Sequence, residues 1–351
     1  MKKTLTIGSL RIGGGQPVRV ESMLKTRLED TEACLAQLNS LKNEGCELVR
    51  VAFPRMELAE PLKRLNSATP LPLMADIHFD PSLAEAAIGA GCPSIRINPG
   101  NMGDPSRLAR VVGLARERSV VIRIGANSGS ISAAQMKKAR GDRGAALALA
   151  ACEQMETLLS LKFEDVILSA KSTDLDEALR ANILLTRRYE DFPFHVGITE
   201  AGSGVDGIVK SACGLSRLLA LGIGQTLRVS LSQSPEDEVT TAYSILRALK
   251  LRQRGGCLIS CPTCGRRQFE VAEAVEELKP LLAQLPDGFT LAVMGCEVNG
   301  PREARGAHLG VAGSPSGMVI FRNGEIVRRL PRGDLLSVLR EYLPLVRKTE
   351  K

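Results

Sequence analysis

Short apolar runs rich in β-branched residues alternate with amphipathic helical patterns along residues 17–250. The runs predict eight strands, at about 17–22, 46–52, 71–77, 94–98, 119–125, 164–170, 193–199 and 225–231. Helices are predicted at about 30–44, 56–67, 81–91, 105–117, 134–162, 175–188, 204–221 and 235–250. Eight strand–helix units in about 235 residues match the count and size of a TIM barrel. A doubly wound parallel sheet is the competing arrangement, but it usually has about five or six strands.

The pattern changes near residue 250. Residues 251–256 predict a linker, and the chain beyond them is too short for a second barrel. It predicts a helix at 269–284, a strand at 289–294, a hairpin at 318–328 and a terminal helix at 333–346. The hairpin turns at Asn323-Gly324, which is a strong type I′ signal. We therefore expect a TIM barrel over residues 1–250 and a small α+β domain over residues 251–351.

Every predicted barrel strand has a polar or charged residue at or just beyond its carboxyl end, where TIM barrels place their chemistry. In chain order these are Glu21, Ser22, Arg50, Asp76, His78, Arg96, Asn98, Asn101, Arg123, Asn127, Lys171, Thr199, Glu200, Arg228 and Ser230. Any one of them has about even odds of being a structural ion pair, since such pairs are common. The repetition at equivalent strand ends predicts a cationic mouth. His195 lies inside a predicted strand, and we expect it to belong to the core.

Four cysteines cluster late in the chain. The segment Cys257-Leu-Ile-Ser-Cys261-Pro-Thr-Cys264-Gly265 is followed by Cys296. A Cys-x-x-Cys pair with a distant third cysteine fits a metal or iron–sulfur site. A thioredoxin-like dithiol is one alternative, but this pair does not open a βαβ unit. A structural zinc held by three cysteines and His308 is another, and the spacing favours iron–sulfur only modestly over zinc.

A glycine-rich segment follows the seventh predicted strand. It reads Gly202-Ser-Gly204-Val-Asp-Gly207 and matches a dinucleotide-binding pattern. The acidic residue expected about 20 positions later is missing, so a dinucleotide site is not predicted. In a barrel, this position suits a phosphate site at a helix N-terminus. A flexible loop is the alternative.

Composition narrows the class of protein. Hydrophobic residues make up 44% and charged residues 24%, which excludes wholesale disorder. The first fifteen residues have two lysines but no apolar core, so we expect no secretory signal, and no run of about 18 apolar residues predicts a membrane span. Together with the odd number of cysteines, these features predict a reducing cytoplasmic location.

The chain is basic, with 46 Lys and Arg against 39 Asp and Glu, but only 3% aromatic. Because single-stranded nucleic acid needs aromatic platforms, we expect small-molecule phosphates or an acidic partner instead. A nucleic-acid-binding module would also need a contiguous stripe of Lys and Arg residues, which the sequence does not show.

Segments along nearly the whole chain, in order, resemble those of one enzyme family. They are Val20–Met23, Val49–Val51, Ala75–Asp80, Ile95–Asn101, Arg123–Asn127, Thr199–Gly202, Arg228–Leu231, Ser260–Gly265 and Gly295–Glu303. The family is that of the bacterial 4-hydroxy-3-methylbut-2-en-1-yl diphosphate synthases, of the methylerythritol phosphate route to isoprenoids. The resemblance implies a TIM barrel joined to a domain like those of sulfite and nitrite reductases. It also implies homodimers in which one subunit's second domain caps the other's barrel.

The chemistry implied by the resemblance is reductive. A [4Fe–4S] cluster would be held by Cys261, Cys264, Cys296 and Glu303, with Cys257 a neighbour and not a ligand. The implied substrate is 2-C-methyl-D-erythritol 2,4-cyclodiphosphate, which two electrons and loss of water convert to the linear allylic diphosphate. Flavodoxin or ferredoxin would supply the electrons. The alternative function is a phosphate-handling TIM-barrel enzyme with a structural zinc domain.

Within this family, the chemistry of the side chains predicts roles for individual residues. Arg50, Arg96, Arg123 and Lys171, with Asn98, Asn127, Thr199 and Ser230, are expected to bind the substrate. Asn299 is expected beside the cluster, in contact with substrate oxygens. Glu200 is the candidate proton donor, and Glu303 is a weak ligand that could yield its place to a substrate oxygen. The chain departs from the family at Leu24-Lys25-Thr26, Glu297 and Arg302.

Overall fold

The computed structural model describes residues 2–78, 80–99, 105–331, 333, 339 and 341. The chain divides into two compact units, Met1–Arg252 and Gln253–Lys351. No helix in these ranges is long and apolar enough to span a membrane.

The first unit is built on a parallel sheet of eight strands. Four further strands of the unit lie outside this sheet. In chain order, the strands of the whole unit are β1 Leu5–Ile7, β2 Leu10–Ile12, β3 Arg19–Met23, β4 Leu48–Ala52, β5 Leu73–Asp76, β6 Ser94–Ile97, β7 Val121–Ile124, β8 Ala126–Asn127, β9 Val166–Ile167, β10 Ala170–Lys171, β11 His195–Val196 and β12 Thr226–Leu227. The sheet runs in the order β11-β12-β3-β4-β5-β6-β7-β9, and all its pairs are parallel. A parallel bridge between Leu168 and Phe194 joins its two edges. The predicted TIM barrel is therefore confirmed.

Helices follow the barrel strands. They are α1 Thr31–Glu44, α2 Ala59–Ala68, α3 Pro81–Gly89, α4 Pro105–Glu117, α5 Ala133–Lys138, α6 Arg143–Ser160, α7 Leu175–Arg188, α8 Gly204–Leu219 and α9 Pro235–Ala248. The single helix predicted at 134–162 is wrong. Arg140 and Gly141 have φ values of 51° and 84°, and the Asp142 side chain then accepts the Ala145 N–H to begin α6. Because these dihedrals lie outside the right-handed helical region, the chain cannot continue as one helix.

The amino-terminal hairpin was not predicted from the sequence. β1 and β2 pair antiparallel, and Leu5, Ile7 and Ile12 form a buried cluster with Leu48, Met74, Val121 and Ile167 from the barrel strands. The hairpin therefore supplies apolar side chains to the barrel interior. The alternation of apolar and polar residues around Gly8-Ser9 is the sequence signal that indicates it.

The second unit is a mixed sheet with a helix against it. Its elements are β13 Cys257–Ser260, α10 Val271–Leu282, β14 Thr290–Met294, α11 Gly300–Glu303, β15 Leu309–Ser314, β16 Gly317–Arg322 and β17 Glu325–Leu330. β13, β14 and β15 are parallel, and β16 and β17 add antiparallel. Asn323 and Gly324 have φ values of 50° and 85°, as the predicted type I′ turn requires. The helix predicted at 333–346 lies largely outside the described residues.

Candidate active site

A cavity of about 370 Å³ lies at the carboxyl ends of the barrel strands. The predicted strand-end residues that line it are Arg50, Asp76, His78, Arg96, Arg123, Asn127, Lys171, Thr199, Glu200, Arg228 and Ser230. Met23, Gly125 and Ser169 complete the lining. Asn98, which follows β6, is not among the lining residues in the described ranges, and Asn101 lies outside those ranges. The barrel thus brings most of the predicted polar strand ends to one cavity.

Arg123 lies at the bottom of the barrel cavity and is only 2% exposed. Its Nη1 donates a hydrogen bond of 2.5 Å to Oε2 of Glu21, which is also buried. Nη2 of Arg123 is buried and finds no hydrogen-bond partner among the residues that the structure describes. Because an unpaired buried donor costs free energy, this N–H group is suited to an anion entering the cavity.

Asp76 joins three cationic or basic groups at one side of the cavity. Its carboxylate lies 3.5 Å from Arg50 Nε, 3.3 Å from Arg96 Nη1 and 3.5 Å from His78 Nε2. Burial alone would raise the pKa of Asp76, but the hydrogen bond from His78 and the charges of Arg50 and Arg96 lower that pKa far below its usual range. Asp76 is therefore ionised and orients both arginines.

Arg228 is held by a carboxylate from the last barrel helix. Its Nε and Nη2 donate to the two oxygens of Glu238 at 3.1 and 3.2 Å, which is the bidentate geometry of strong arginine–carboxylate pairs. Glu238 also accepts a hydrogen bond from Ser22 Oγ and forms an ion pair with Lys25 Nζ, each at 3.2 Å. The lysine of the atypical Leu24-Lys25-Thr26 segment thus supports the same carboxylate.

Lys171 and His195 contact one another below the cavity. Nζ of Lys171 lies 2.9 Å from Nε2 of His195, and the histidine's Nδ1 lies 2.8 Å from Thr226 Oγ1. His195 is buried as predicted, but it also contacts a residue of the cavity lining. The structure also pairs three residues, Glu21, Glu238 and His195, with cations that line the cavity. The sequence analysis did not predict these pairs. Strand alternation places residue 195 on the same face as Gly197. This alternation is the sequence signal from which a position of His195 near the cavity could have been predicted.

Glu200 lies at the rim in a strained conformation. Its φ of 50° is in the left-handed region, which non-glycine residues rarely adopt. The glycine-rich segment follows, and Gly204 begins α8 without a side-chain cap from Ser203. Such backbone strain clusters at functional sites because the surrounding structure holds it in place.

A second cavity, of about 160 Å³, lies in the second unit. The predicted Cys261, Cys264, Cys296, Asn299 and Glu303 all line it, with Pro262, Thr263, Arg266, Arg267, Met294, Gly295 and Gly300. Cys257 is not one of its lining residues in the part of the chain that is described. Three thiols and one carboxylate therefore line the same cavity, which agrees with the spacing of the late cysteines and with the ligand set that the resemblance implies.

The backbone prepares this cysteine cavity for thiolates. The Gly295 N–H donates to Cys261 Sγ at 3.0 Å, and a Cβ at position 295 would lie 3.3 Å from Arg267 Cβ. Thr263, between the paired cysteines, has a φ of 64° that turns the chain sharply. Backbone N–H donation stabilises sulfur ligands and tunes iron–sulfur potentials. The donor set and its hydrogen bond therefore fit an iron–sulfur cluster.

The zinc alternative lacks its fourth ligand. His308 accepts a hydrogen bond from the Thr290 N–H at Nδ1 and stacks on Phe289 with ring centroids 5.1 Å apart. His308 does not line the cysteine cavity. Across the described ranges, no group of three His, Cys, Asp or Glu side chains is close enough to hold a single metal ion. A cluster spreads its ligands over several irons, whereas zinc requires all of them about 2.0–2.3 Å from one ion.

The two atypical residues near the cysteine cavity differ in their contacts. Glu297 accepts a hydrogen bond of 2.5 Å from Nη1 of Arg329 on β17. Arg302 is exposed and forms no ion pair within the described part of the chain.

A TIM barrel with a cationic cavity, joined to a unit with a thiol-lined cavity, defines a class of two-domain barrel enzyme. Residues 2–243 match the GcpE TIM-barrel domain, and residues 257–344 match the GcpE protein C-terminal domain. The chain belongs to the GcpE family, which confirms the resemblance.

Relatives of similar length carry the same name. A protein of Geobacter sulfurreducens is 44% identical over 96% of this chain and 95% of its own, and one of Natranaerobius thermophilus is 45% identical over 95% and 93%. Both are named 4-hydroxy-3-methylbut-2-en-1-yl diphosphate synthase (flavodoxin). Among solved structures, a dihydropteroate synthase of Xanthomonas albilineans covers 72% of this chain and 98% of its own, with 14% identity and a TM-score of 0.50. That likeness concerns the barrel fold alone.

Proposed function

We propose that this chain catalyses the two-electron reductive ring opening of 2-C-methyl-D-erythritol 2,4-cyclodiphosphate to (E)-4-hydroxy-3-methylbut-2-enyl diphosphate. The observation that carries the proposal is the buried, unpartnered Nη2 of Arg123 in a cavity lined by further cations. Membership in the GcpE family and the names of the relatives support the same reaction.

The charge of the barrel cavity suits a cyclic diphosphate. Its cations are Arg50, Arg96, Arg123, Lys171 and Arg228. They pair with the carboxylates of Glu21, Asp76 and Glu238, while Lys25 and Glu200 add one charge of each sign. With Lys171 protonated, two positive charges remain, and the cyclic diphosphate carries two negative charges. Arginine forks and the amide and hydroxyl of Asn127 and Ser230 would bind its oxygens.

The cysteine cavity is proposed to hold a [4Fe–4S] cluster on Cys261, Cys264, Cys296 and Glu303. When bound, such a cluster supplies electrons and a Lewis-acidic iron for cleavage of the C–O bond. A carboxylate is a harder ligand than a thiolate, so Glu303 is the ligand most readily exchanged. Asn299 lines the same cavity, from which its amide would contact substrate oxygens.

Glu200 is proposed to donate the proton that the departing hydroxyl needs to leave as water. Glu200 lines the cavity, and its backbone has the strained φ of 50°. Thr199 and Asn98 are proposed as further substrate contacts, and Thr199 lines the cavity.

Electrons are proposed to come from flavodoxin or ferredoxin. Residues 251–351 carry 15 Lys and Arg against 11 Asp and Glu, so the second unit is basic and suits an acidic donor. Turnover with flavodoxin should weaken as salt is raised, and turnover that ignores ionic strength would contradict this docking.

A homodimer is proposed from the resemblance, with the second unit of one subunit serving the barrel of the other. Mixing inactive Lys171→Met with inactive Cys264→Ser tests this arrangement. With random exchange of subunits, about a quarter of wild-type activity should return. No recovery in a mixture that exchanges subunits would contradict the shared site.

Anaerobic turnover of the cyclic diphosphate with a chemical reductant tests the function as a whole. We expect formation of the linear allylic diphosphate by protein that contains iron and sulfide and is coloured brown. A colourless, stoichiometrically zinc-loaded protein without turnover would overturn the proposal.

A further inference from the structure

We propose that His195 is a positioning residue for Lys171, and that anion binding in the barrel cavity is coupled to uptake of one proton by that lysine. The inference rests on the proposed function only in taking the ligand to be a diphosphate. It concerns how the cavity prepares for the ligand's charge.

The tautomer of His195 follows from its partners. Nδ1 lies 2.8 Å from Thr226 Oγ1 and 3.7 Å from the Glu21 carboxylate, so the imidazole proton belongs on Nδ1. Nε2 is then an acceptor, and it lies 2.9 Å from Lys171 Nζ. A lysine ammonium has three N–H donors, of which His195 takes one. The imidazole thereby anchors the ammonium from below, and the other donors remain for a ligand.

The strand that carries His195 also leaves room for the lysine. Gly197 lies two residues farther along, on the same face. A Cβ at this position would lie 3.1 Å from Lys171 Nζ, 3.2 Å from its Cε and 2.7 Å from the Arg228 carbonyl oxygen. Lys171 therefore passes directly over Gly197 to reach His195. The sequence His195-Val196-Gly197 supplies the acceptor and the space together.

The groups around Lys171 make its charge depend on the ligand. Facing it are His195, the cations Arg123, Arg50 and Arg228, and the carboxylate of Glu21. Burial, followed by Arg123 and Arg50, lowers the pKa of Lys171 well below its usual range in the free cavity. Burial is the largest cause of a lowered pKa at His195, and the charges of the nearby arginines add to it, which keeps the imidazole neutral.

A bound anion favours the protonated form of Lys171. A bound diphosphate adds negative charge beside Nζ, which raises the lysine pKa and draws a proton from solvent. Affinity should therefore be highest below the free-cavity pKa. It should fall by up to about tenfold per pH unit above that pKa, until the pKa of the bound state is reached.

Calorimetry with inorganic pyrophosphate tests this coupling without turnover or electron donor. Titrations of the purified holoenzyme in buffers of different ionisation heat, at several values between about pH 6 and pH 10, give the number of protons taken up at each pH. Wild-type protein should take up more protons than Lys171→Met, by up to about one between the free and bound pKa values of the lysine, because protons exchanged by pyrophosphate itself cancel in the difference. Equal proton counts for the two proteins would overturn the proposal.

Two substitutions isolate the acceptor at position 195. His195→Gln keeps an acceptor near the Nε2 position, and should bind pyrophosphate within about threefold of wild type. His195→Phe fills the space without an acceptor, and should bind about 10- to 100-fold more weakly with less proton uptake. His308→Gln, in the second unit, is the matched control and should leave pyrophosphate binding unchanged. Equal binding by the two position-195 variants would contradict the positioning role.

Histidine-selective ¹⁵N NMR of the wild-type protein gives a readout that needs no folded variant at position 195. His195 should show a neutral Nδ1–H imidazole that does not titrate between about pH 5.5 and 8. A cationic or titrating His195 would overturn the proposal. If wild-type protein binds no pyrophosphate, the proposed diphosphate site and this inference both fail. Binding without proton uptake contradicts only the inference.

Discussion

Nη1 of Arg123 donates to Oε2 of Glu21 at 2.5 Å, and this pair lies almost fully buried inside the barrel. The two residues are 102 positions apart in the sequence, on strands β7 and β3. The carboxylate compensates the arginine charge, while Nη2 of Arg123 and Oε1 of Glu21 stay buried without a hydrogen-bond partner among the described residues. Neutralising Glu21 therefore affects both the stability of the barrel and the charge of the cavity.

Glu21→Gln should lower the free energy of unfolding of the barrel by about 3–5 kcal/mol, because it leaves a buried guanidinium without its counter-charge. Chemical denaturation followed by circular dichroism, with the two units fitted separately, measures the loss. Glu276→Gln is the control, since Glu276 pairs with Lys279 on an exposed helix surface and should change stability by less than about 1 kcal/mol. Equal effects of the two substitutions would contradict the assigned burial.

Cys264→Ser should prevent stable cluster binding, because a serine hydroxyl ionises far less readily than a thiol and binds cluster iron more weakly than a thiolate does. Cys257→Ser should retain the cluster, since Cys257 begins β13 and is not one of the described residues that line the cysteine cavity. Iron and sulfide analysis of anaerobically purified proteins, with their visible absorption, measures both. Loss of iron from the Cys257 variant alone would reverse the assignment of the ligands.

Glu200→Gln should lower kcat by about 10²- to 10⁴-fold with little change in KM, because the amide keeps the shape of the side chain but donates no proton to a leaving group. Anaerobic steady-state kinetics measure the two constants, and iron content should stay unchanged. Glu164→Gln is a control at the amino end of β9, where Glu164 pairs with Lys3. An unchanged kcat in the Glu200 variant would assign the proton to another group.

Asp76→Asn should destabilise the barrel at neutral pH, since Arg50 and Arg96 lose their shared carboxylate. The folded pKa of Asp76 is lowered, so its contribution to stability is fully present above its unfolded pKa of about 3.9 and is lost as the pH falls toward the folded pKa. The difference in unfolding free energy between wild type and variant should therefore be constant above about pH 5 and shrink below about pH 4. Urea denaturation across this pH range measures it. A difference that grows in acid would contradict the ion pairs.

Gly197→Ala should lower the free energy of unfolding by about 1–3 kcal/mol, because its Cβ would lie 2.7 Å from the Arg228 carbonyl oxygen and displace the strand or Lys171. Gly113→Ala is the matched control on α4. Among the described residues, no atom outside its own helix lies within 4 Å of a Cβ there, so the change should stabilise by about 0.5–1 kcal/mol. Thermal unfolding of both proteins gives the comparison, and a stable Gly197 variant that binds pyrophosphate normally would exclude the close approach.

Much of the fold was readable along the chain. The spacing of apolar runs predicts all eight barrel strands, because burial on both faces demands such runs. The register of the barrel then brings strand-end residues such as Arg50, Arg96 and Arg123 together, since carboxyl ends of parallel strands meet at one edge. The break between α5 and α6 was not predicted, although Gly141 and the N-cap residue Asp142 are its local signals, because the helical pattern continues on both sides of them.

The sequence by itself determined the barrel, the cationic strand ends and the clustered cysteines, because periodicity and spacing are local properties of the chain. Only the tertiary structure decided which carboxylate compensates which cation. It places Glu21 beside Arg123, and it places His195, which the sequence predicts only as a core residue, in contact with Lys171. These contacts join residues from separate strands at distances of a few ångströms. Electrostatic and hydrogen-bond energies depend on those distances and on burial. Local sequence patterns specify neither of them.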